Sequence, residues 1–371
     1  MKKILCVVGT RPEAIKMAPV INTLKKSGSF EVTVFATGQH TDMLRQALSD
    51  FGIEADFNLN IMKATQTLDY ITSSVLTGTG NFLDNNKHDL ILVHGDTSTT
   101  FASSLAGFYR KIPVGHVEAG LRSNDKYLPF PEEINRVLTD SIADLFFAPT
   151  ELALQNLLHE GIKPEKIFIT GNTVIDALFE ILKINNKTPD FMNKINDSPF
   201  ILMTAHRRES WGEPLIEICG AVRDIIDSRN DIKFLIPMHK NPVVRDVIKS
   251  ELKNYESNII LTEPLNYPEF TYAMNKCEFI LSDSGGVQEE ASAINKPVLI
   301  MRTLSERPEA IENGTGILVG TSRKVIRTQT LKILNDKTYL EEIISKNKKP
   351  FGDGTASIKI LEVLERYFSE K

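Results

Sequence analysis

Along most of the chain, short runs of apolar, β-branched residues alternate with longer stretches whose apolar positions recur at helical spacing. In the first half, Lys3–Val8, Val32–Ala36, Leu90–Val93, Val114–Val117, Leu145–Phe147 and Ile167–Ile169 read as strands. Glu13–Lys26, Thr99–Arg110 and Glu151–Glu160 read as amphipathic helices between them. Strands that are apolar on both faces and joined by helices predict βαβ units and a parallel sheet. The rhythm breaks over 183–199, a polar stretch with two prolines, and then restarts. Phe200–Met203, Lys233–Ile236, Ile259–Leu261, Phe279–Leu281, Val298–Ile300 and Gly316–Val319 form a second strand series.

The expectation is an α/β chain of two Rossmann-like, doubly wound domains facing a cleft. The first spans 1–182 plus 356–371, a linker covers 183–198, and the second spans 199–355. A last helix, Ala356–Phe368, is expected to return to the first domain. In such sheets ligands bind beyond the carboxyl ends of the strands.

Composition narrows the function classes. The 371 residues carry a formal charge of -5, which argues against a general nucleic-acid binder. Cys6, Cys219 and Cys277 form no Cys-x-x-Cys pair, which removes a disulfide framework or cysteine zinc site and fits a reducing cytosol. The opening apolar run is too short for a signal peptide, and no segment is long enough to span a membrane. A cytoplasmic protein is expected.

The polar residues with chemical potential cluster where strands end. Gly9-Thr10-Arg11-Pro12-Glu13 follows the first strand, with Thr10 and Glu13 in a capping-box pattern and Arg11 and Lys16 able to attract an anion. A well-capped helix with solvated cations accounts for the same spacing. Asp96 follows Leu90–Val93, where an N-cap is the plain alternative. Glu118 follows Val114–Val117, sharing a face with His116 by alternation, and a buried carboxylate there needs a partner or a task. His116 reads as a satisfied core histidine. Glu132 opens a helix, where the dipole favours acids in any case.

In the second half, His206 stands beside Arg207 and Arg208 at a strand end, which suits a phosphate or an anionic leaving group. Ser284-Gly285-Gly286 would bare the first N–H groups of a helix to a phosphate, and Glu290 could accept from ribose hydroxyls. No Walker motif and no Gly-x-Gly-x-x-Gly after a strand occurs, so an ATPase or NAD reading has little support. The pairs His94/Asp96 and His116/Glu118 lack a partner on the first strand, and no metal is expected.

Taken together, GTRPEAIKMAP (9–19), VHGDTSTT (93–100), PVGHVEAGLRS (113–123), FPEEINR (130–136), FITGNTVIDAL (168–178), TAHRRES (204–210), SDSGGVQEEA (282–291) and ERPEA (306–310) resemble the bacterial non-hydrolysing UDP-N-acetylglucosamine 2-epimerases. The resemblance spans nearly the whole chain. It implies a GT-B-like fold, a homodimer, no cofactor, and interconversion of UDP-GlcNAc and UDP-ManNAc for polysaccharide biosynthesis. The route it implies is elimination of UDP to 2-acetamidoglucal and re-addition.

Carried over by position, Asp96, Glu118 and Glu132 match the catalytic acids and His206 the catalytic histidine. Asp96 and Glu132 are expected to form the acid/base pair, with Glu118 orienting. Arg11, Lys16, Arg207, Ser284, Gly285, Gly286, Glu290 and Arg307 fall at UDP-binding positions, and Phe270 near the uracil. Gln39, Gln66, Arg208 and His239 match segments that bind UDP-GlcNAc as an allosteric activator, although Thr65 replaces an Arg of some members. Leu128 stands where a Ser is usual, and Ala291–Asn295 also departs from the common pattern. A modified UDP-HexNAc substrate, a hydrolysing epimerase or a GT-B glycosyltransferase are the alternatives. A sugar-nucleotide-binding protein without activity is the non-enzymatic one.

Overall fold

The computed structural model describes residues 1–38, 41–63, 66–184, 187–305 and 307–370, apart from the side chains of Thr41 and Arg208. The chain forms two compact units, Met1–Ile181 with Phe351–Lys371, and Leu182–Pro350. The first contains β1 (Lys2–Val8), β2 (Phe30–Ala36), β3 (Phe57–Asn58), β4 (Leu90–His94), β5 (Val114–Val117), β6 (Leu145–Ala148) and β7 (Ile167–Ile169). They lie in the order β3-β2-β1-β4-β5-β6-β7, every neighbouring pair parallel. The second contains β8 (Phe200–Thr204), β9 (Lys233–Pro237), β10 (Ile259–Thr262), β11 (Ile280–Ser282), β12 (Val298–Ile300) and β13 (Gly316–Leu318). Their order is β10-β9-β8-β11-β12-β13, again all parallel.

Both sheets reverse strand order once, between β1 and β4 and between β8 and β11. In an open α/β sheet that reversal parts the flanking loops and makes the strand ends there the natural ligand position. At the carboxyl ends of these four strands lie the Gly9–Lys16, His94–Thr100, Thr204–Ser210 and Ser282–Glu290 segments. The fold therefore brings the polar motifs of each unit to its switch point.

The apolar runs become the core as their pattern requires. Every residue of β4 is buried, and Phe35, Phe146, Phe147, Phe200, Phe234 and Phe279 are among the largest fully buried side chains. Removing such a side chain from water contributes about 1.5–3 kcal/mol each. Among the described residues, no helix is long and apolar enough to cross a membrane.

Two details differ from the sequence pattern. The edge strand β3 has only two exposed residues and leaves no periodicity to read. Inside the polar stretch after 183 lies a short helix, Phe191–Ile195, whose buried Phe191 and Ile195 are one turn apart. The final helix runs over Ala356–Ser369 in the first unit. The buried Asp176 carboxylate accepts from the Ala356 and Ser357 amides (3.2 and 2.8 Å) and the Ser357 hydroxyl (2.7 Å), anchoring its start. The Phe368 ring sits 5.8 Å from that of Phe30 at its end.

Candidate active site

In the first unit the helix Arg11–Ser27 starts with the full capping box expected from Thr10 and Glu13. Glu13 does more than cap. Its buried carboxylate accepts from the Gly9 and Thr10 amides (2.9 and 2.6 Å) and from the Thr97 and Thr100 hydroxyls (2.6 and 3.0 Å). It thereby ties the turn after β1 to the turn after β4. Burial raises its pKa above the ordinary value, against the opposing pull of these donors. Gly9 is required there, because a Cβ would lie 2.2 Å from the Thr99 hydroxyl.

Asp96 sits just past Gly95, which turns the chain at φ +70°. Thr97, not Asp96, caps the following helix Ser98–Phe108, so the N-cap alternative for Asp96 falls away. Asp96 instead forms an ion pair with Arg136, while its backbone carbonyl accepts from the Asn135 side chain at 3.0 Å. Glu132 is the first residue of the helix Glu132–Ile142. Its pKa is raised, chiefly by burial; its own backbone N–H opposes the rise, the Asp96 charge adds to it and Arg136 again opposes it. The adjacent Glu133 is buried and accepts from the Ser123 and Asn124 amides at 3.0–3.1 Å, fixing the loop before the helix.

Glu118 lies beyond the end of β5 with a left-handed φ of +67°. The strand alternation that would align it with His116 is broken there, and the two side chains have different partners. Glu118 forms a buried ion pair with Lys16 and accepts from the Asn172 amide at 2.9 Å on the same oxygen. Its other oxygen lies 3.5 Å from Nε2 of the buried His94. Burial holds His94 down at about 3, so its ring is neutral near pH 7. A non-glycine residue at positive φ is costly and persists where the surroundings over-determine it, which the three contacts on Glu118 do. His116 is fully buried, between the Gly95 carbonyl (2.7 Å) and Asp140 (2.6 Å), so it is satisfied in the core as its strand position suggested.

In the second unit Asp283 is the organising group. It is fully buried after β11, and one oxygen accepts from the His206 and Arg207 amides (both 2.9 Å) and the Ser210 hydroxyl (3.1 Å). The other lies 2.9 Å from His206 Nδ1. Burial would raise the Asp283 carboxyl, but His206 and the backbone donors outweigh it and hold it below the usual range. With Nδ1 turned to Asp283, the half-exposed His206 ring presents Nε2 outward. The His239 ring lies 6.3 Å from that of His206.

Ser284 precedes the helix Gly285–Ala293 without using its side chain as a cap. A Cβ on Gly286 would meet nothing within 4 Å, and one on Gly285 would come no nearer than 4.0 Å, to the Arg207 guanidinium. The missing side chains thus serve no packing within the chain and leave the helix N-terminus open beside a cation, an arrangement suited to phosphate. Further along, the buried Glu290 accepts from the Tyr267 hydroxyl at 2.7 Å, and Arg307 pairs with the buried Glu289. Phe270 is half-buried on the helix Tyr267–Lys276.

Of the residues matched to an effector site, Gln66 donates to the Lys63 carbonyl at 3.3 Å, Arg208 begins the short 3-10 turn Arg208–Ser210, and Gln39 lies outside the described residues. Thr65 does so too. Among the described residues, no group of three or more His, Cys, Asp or Glu side chains could hold a metal ion. The sequence pattern did not single out Asp283, Asp140, Asn172 or Glu133 as site-forming groups. Asp283 and Asn172 lie just past strand ends, within 282–291 and 168–178, and that position was the available signal.

The family model described as UDP-N-acetylglucosamine 2-epimerase matches residues 22–365. The chain is 46% identical to the UDP-N-acetylglucosamine 2-epimerase of Escherichia coli K12, over 98% of each chain. It resembles the structure of UDP-GlcNAc 2-epimerase from Neisseria meningitidis bound to UDP-GlcNAc, with TM-score 0.88, 45% identity and coverage of 98% of this chain and 100% of that one. The S. aureus MnaA–UDP complex matches with TM-score 0.89 and 47% identity, covering 100% of this chain and 97% of that one. A glycosyltransferase from Rickettsia africae, only 17% identical, shares the fold with TM-score 0.65. The matched length and these identities show that the chain belongs to the UDP-N-acetylglucosamine 2-epimerase family.

Proposed function

We propose that this chain interconverts UDP-GlcNAc and UDP-ManNAc without hydrolysis, by eliminating UDP and adding it back. The C2 hydrogen of a 2-acetamido sugar has no neighbouring carbonyl to stabilise a carbanion. Coupling its removal to loss of a good leaving group avoids that intermediate. The C2 proton passes to a carboxylate, the C1–O bond breaks with its electron pair leaving on UDP, and a C1=C2 double bond forms. UDP then re-adds at C1 while a second acid delivers a proton to the opposite face of C2.

The observation that carries this reading is the pairing of Asp96 and Glu132 in contrasting environments. Glu132 is half-buried with a raised pKa, which favours its protonated form, while Asp96 is ion-paired with Arg136. Two carboxyl groups whose surroundings differ in this way are the usual basis for dividing acid and base roles. Glu118, with one oxygen committed to Lys16 and Asn172, fits an orienting role. In the second unit, the Gly285-Gly286 helix start, Arg207 and the outward Nε2 of His206 are suited to receive the departing diphosphate. Arg11, Ser284, Glu290, Arg307 and Phe270 complete the proposed nucleotide contacts.

The homodimer belongs to the same proposal. Exposed apolar side chains on adjoining helices of the first unit, Phe108, Ile134 and Leu138 with Tyr109, support it. Light scattering of the purified protein tests it.

The activity is tested by NMR of UDP-GlcNAc with the enzyme in D2O and no added cofactor. The expected result is UDP-ManNAc with deuterium at C2 of both sugars. Free ManNAc and UDP as the sole products, or no C2 exchange with any UDP-HexNAc, would overturn the reading.

A further inference from the structure

The His116 ring lies between two atoms that can only accept. Its Nε2 is 2.7 Å from the Gly95 carbonyl oxygen and its Nδ1 is 2.6 Å from a carboxylate oxygen of Asp140. A carbonyl oxygen has no proton to give. Asp140 also accepts from the Arg122 guanidinium and the Gly120 amide, donors that favour its carboxylate over its acid form. Both ring nitrogens therefore face acceptors, which only a ring with two N–H groups satisfies.

A fully buried imidazolium needs compensation, and the surroundings supply it. Asp140 accepts from the Gly120 amide at 3.2 Å and from Arg122 at 2.7 Å. Arg122 in turn makes a two-pronged pair with Glu160, at 2.6 Å on each arm. Two cations and two carboxylates thus alternate in one line. On the sheet side the neighbouring titratable groups are His94, held neutral by burial, and Glu118, which is paired with Lys16.

The line joins two turns. His116 grips the carbonyl just before Asp96, and Asp140 beside it grips the amide of Gly120, two residues past Glu118. We infer that His116 is a positioning residue, carrying a hydrogen on both ring nitrogens and clamping the Asp96 turn and the Glu118 turn to each other. This rests on the acid/base reading of Asp96 and the orienting role of Glu118 given above. Through Gly95, His116 fixes where the Asp96 backbone starts; Arg136 and Asn135 fix the rest of that residue.

Two measurements test the inference. The first is a long-range proton–nitrogen NMR correlation on 15N-histidine-labelled protein between pH 6 and 8, which needs no activity. Replacing the other six of the seven histidines one at a time removes their signals in turn and assigns that of His116 by elimination. The expected pattern has both nitrogens protonated throughout; a neutral-ring pattern at pH 7 overturns the inference whether or not any His116 variant folds. The second is His116→Gln, which can reach the Gly95 carbonyl but cannot bridge to Asp140. Misplacing a reacting group by about 1 Å costs roughly 100-fold, so kcat for C2 exchange should fall by about that factor, with KM within about threefold. A variant that melts earlier but keeps the kcat and KM of the unmodified enzyme per folded molecule would reduce His116 to a packing role. Failure of the unmodified enzyme to exchange C2 would strike the proposed function instead, leaving the ring spectrum to decide the charge state by itself.

Discussion

The Lys16 ammonium and the Glu118 carboxylate form an ion pair with only 17% and 7% of their side chains exposed, joining the helix after β1 to the turn after β5. Breaking one side of such a pair strands a buried charge. Lys16→Met should therefore destabilise the protein by about 3 kcal/mol, and adding Glu118→Gln should recover part of that loss. Urea unfolding of the two single variants and the double variant checks both statements. Full additivity would mean the two groups do not depend on each other.

Asp283 fixes the direction of the His206 ring and two backbone amides at once. Asp283→Asn keeps the shape but removes the charge facing Nδ1. The expected outcome is a kcat lower by about 10- to 100-fold, with a smaller change in KM. An unchanged kcat would show that His206 works without Asp283.

Glu132→Gln removes one proton-carrying group and leaves Asp96 in place. If the two carboxylates serve opposite faces of C2, the first half of the reaction should outlast the second. Free UDP and the unsaturated sugar should then accumulate during turnover, detectable by HPLC. Strong loss of turnover without either species would assign Glu132 to the first step.

Gly286 separates stability from binding. It lies in the first turn of a helix, and a methyl group there meets open space. Gly286→Ala should raise the melting temperature modestly, in line with the roughly 0.5–1 kcal/mol advantage of Ala over Gly in helices. The same methyl would obstruct a phosphate on the helix start, so UDP affinity should fall. A variant that gains stability and keeps full affinity would move the diphosphate away from this helix.

His94 is held neutral in the folded chain, down at about 3, while its unfolded value is the ordinary 6.5. Below pH 6.5 the unfolded state therefore binds the proton that the folded state refuses. Stability falls as the pH drops from 6.5 towards 3, by up to about 1.4 kcal/mol per pH unit from this group. His94→Gln should flatten that decline between pH 6.5 and 5 in denaturant titrations. A decline as steep as that of the unmodified protein would exclude His94 as its source.

Much of the architecture was legible because burial writes itself into periodicity. β4 is buried along its whole length and reads as an unbroken apolar run before His94-Gly95-Asp96. The strand-end position of Asp96, Glu118, His206 and Gly285 followed from the same reading. What stayed hidden was set by partners distant in sequence. Asp140 lies four residues after Arg136, a spacing that suggests an exposed helical pair, yet it turns inward to His116 and Arg122. Lys16 carries the signature of an anion-binding cation, but which carboxylate it pairs with depends on a residue 102 positions away. β3 and the helix Phe191–Ile195 are too short for any period to register.

The first unit takes its last helix, Ala356–Ser369, from the far end of the chain, whereas Leu182–Pro350 is one uninterrupted segment. During synthesis, which proceeds at about 5–20 residues per second, the second unit has all its residues outside the ribosome before the first does. The amides of Ala356 and Ser357 that occupy the Asp176 carboxylate arrive last. Until then Asp176 has no helix to anchor, and the half of the protein that emerges first is the half that finishes second.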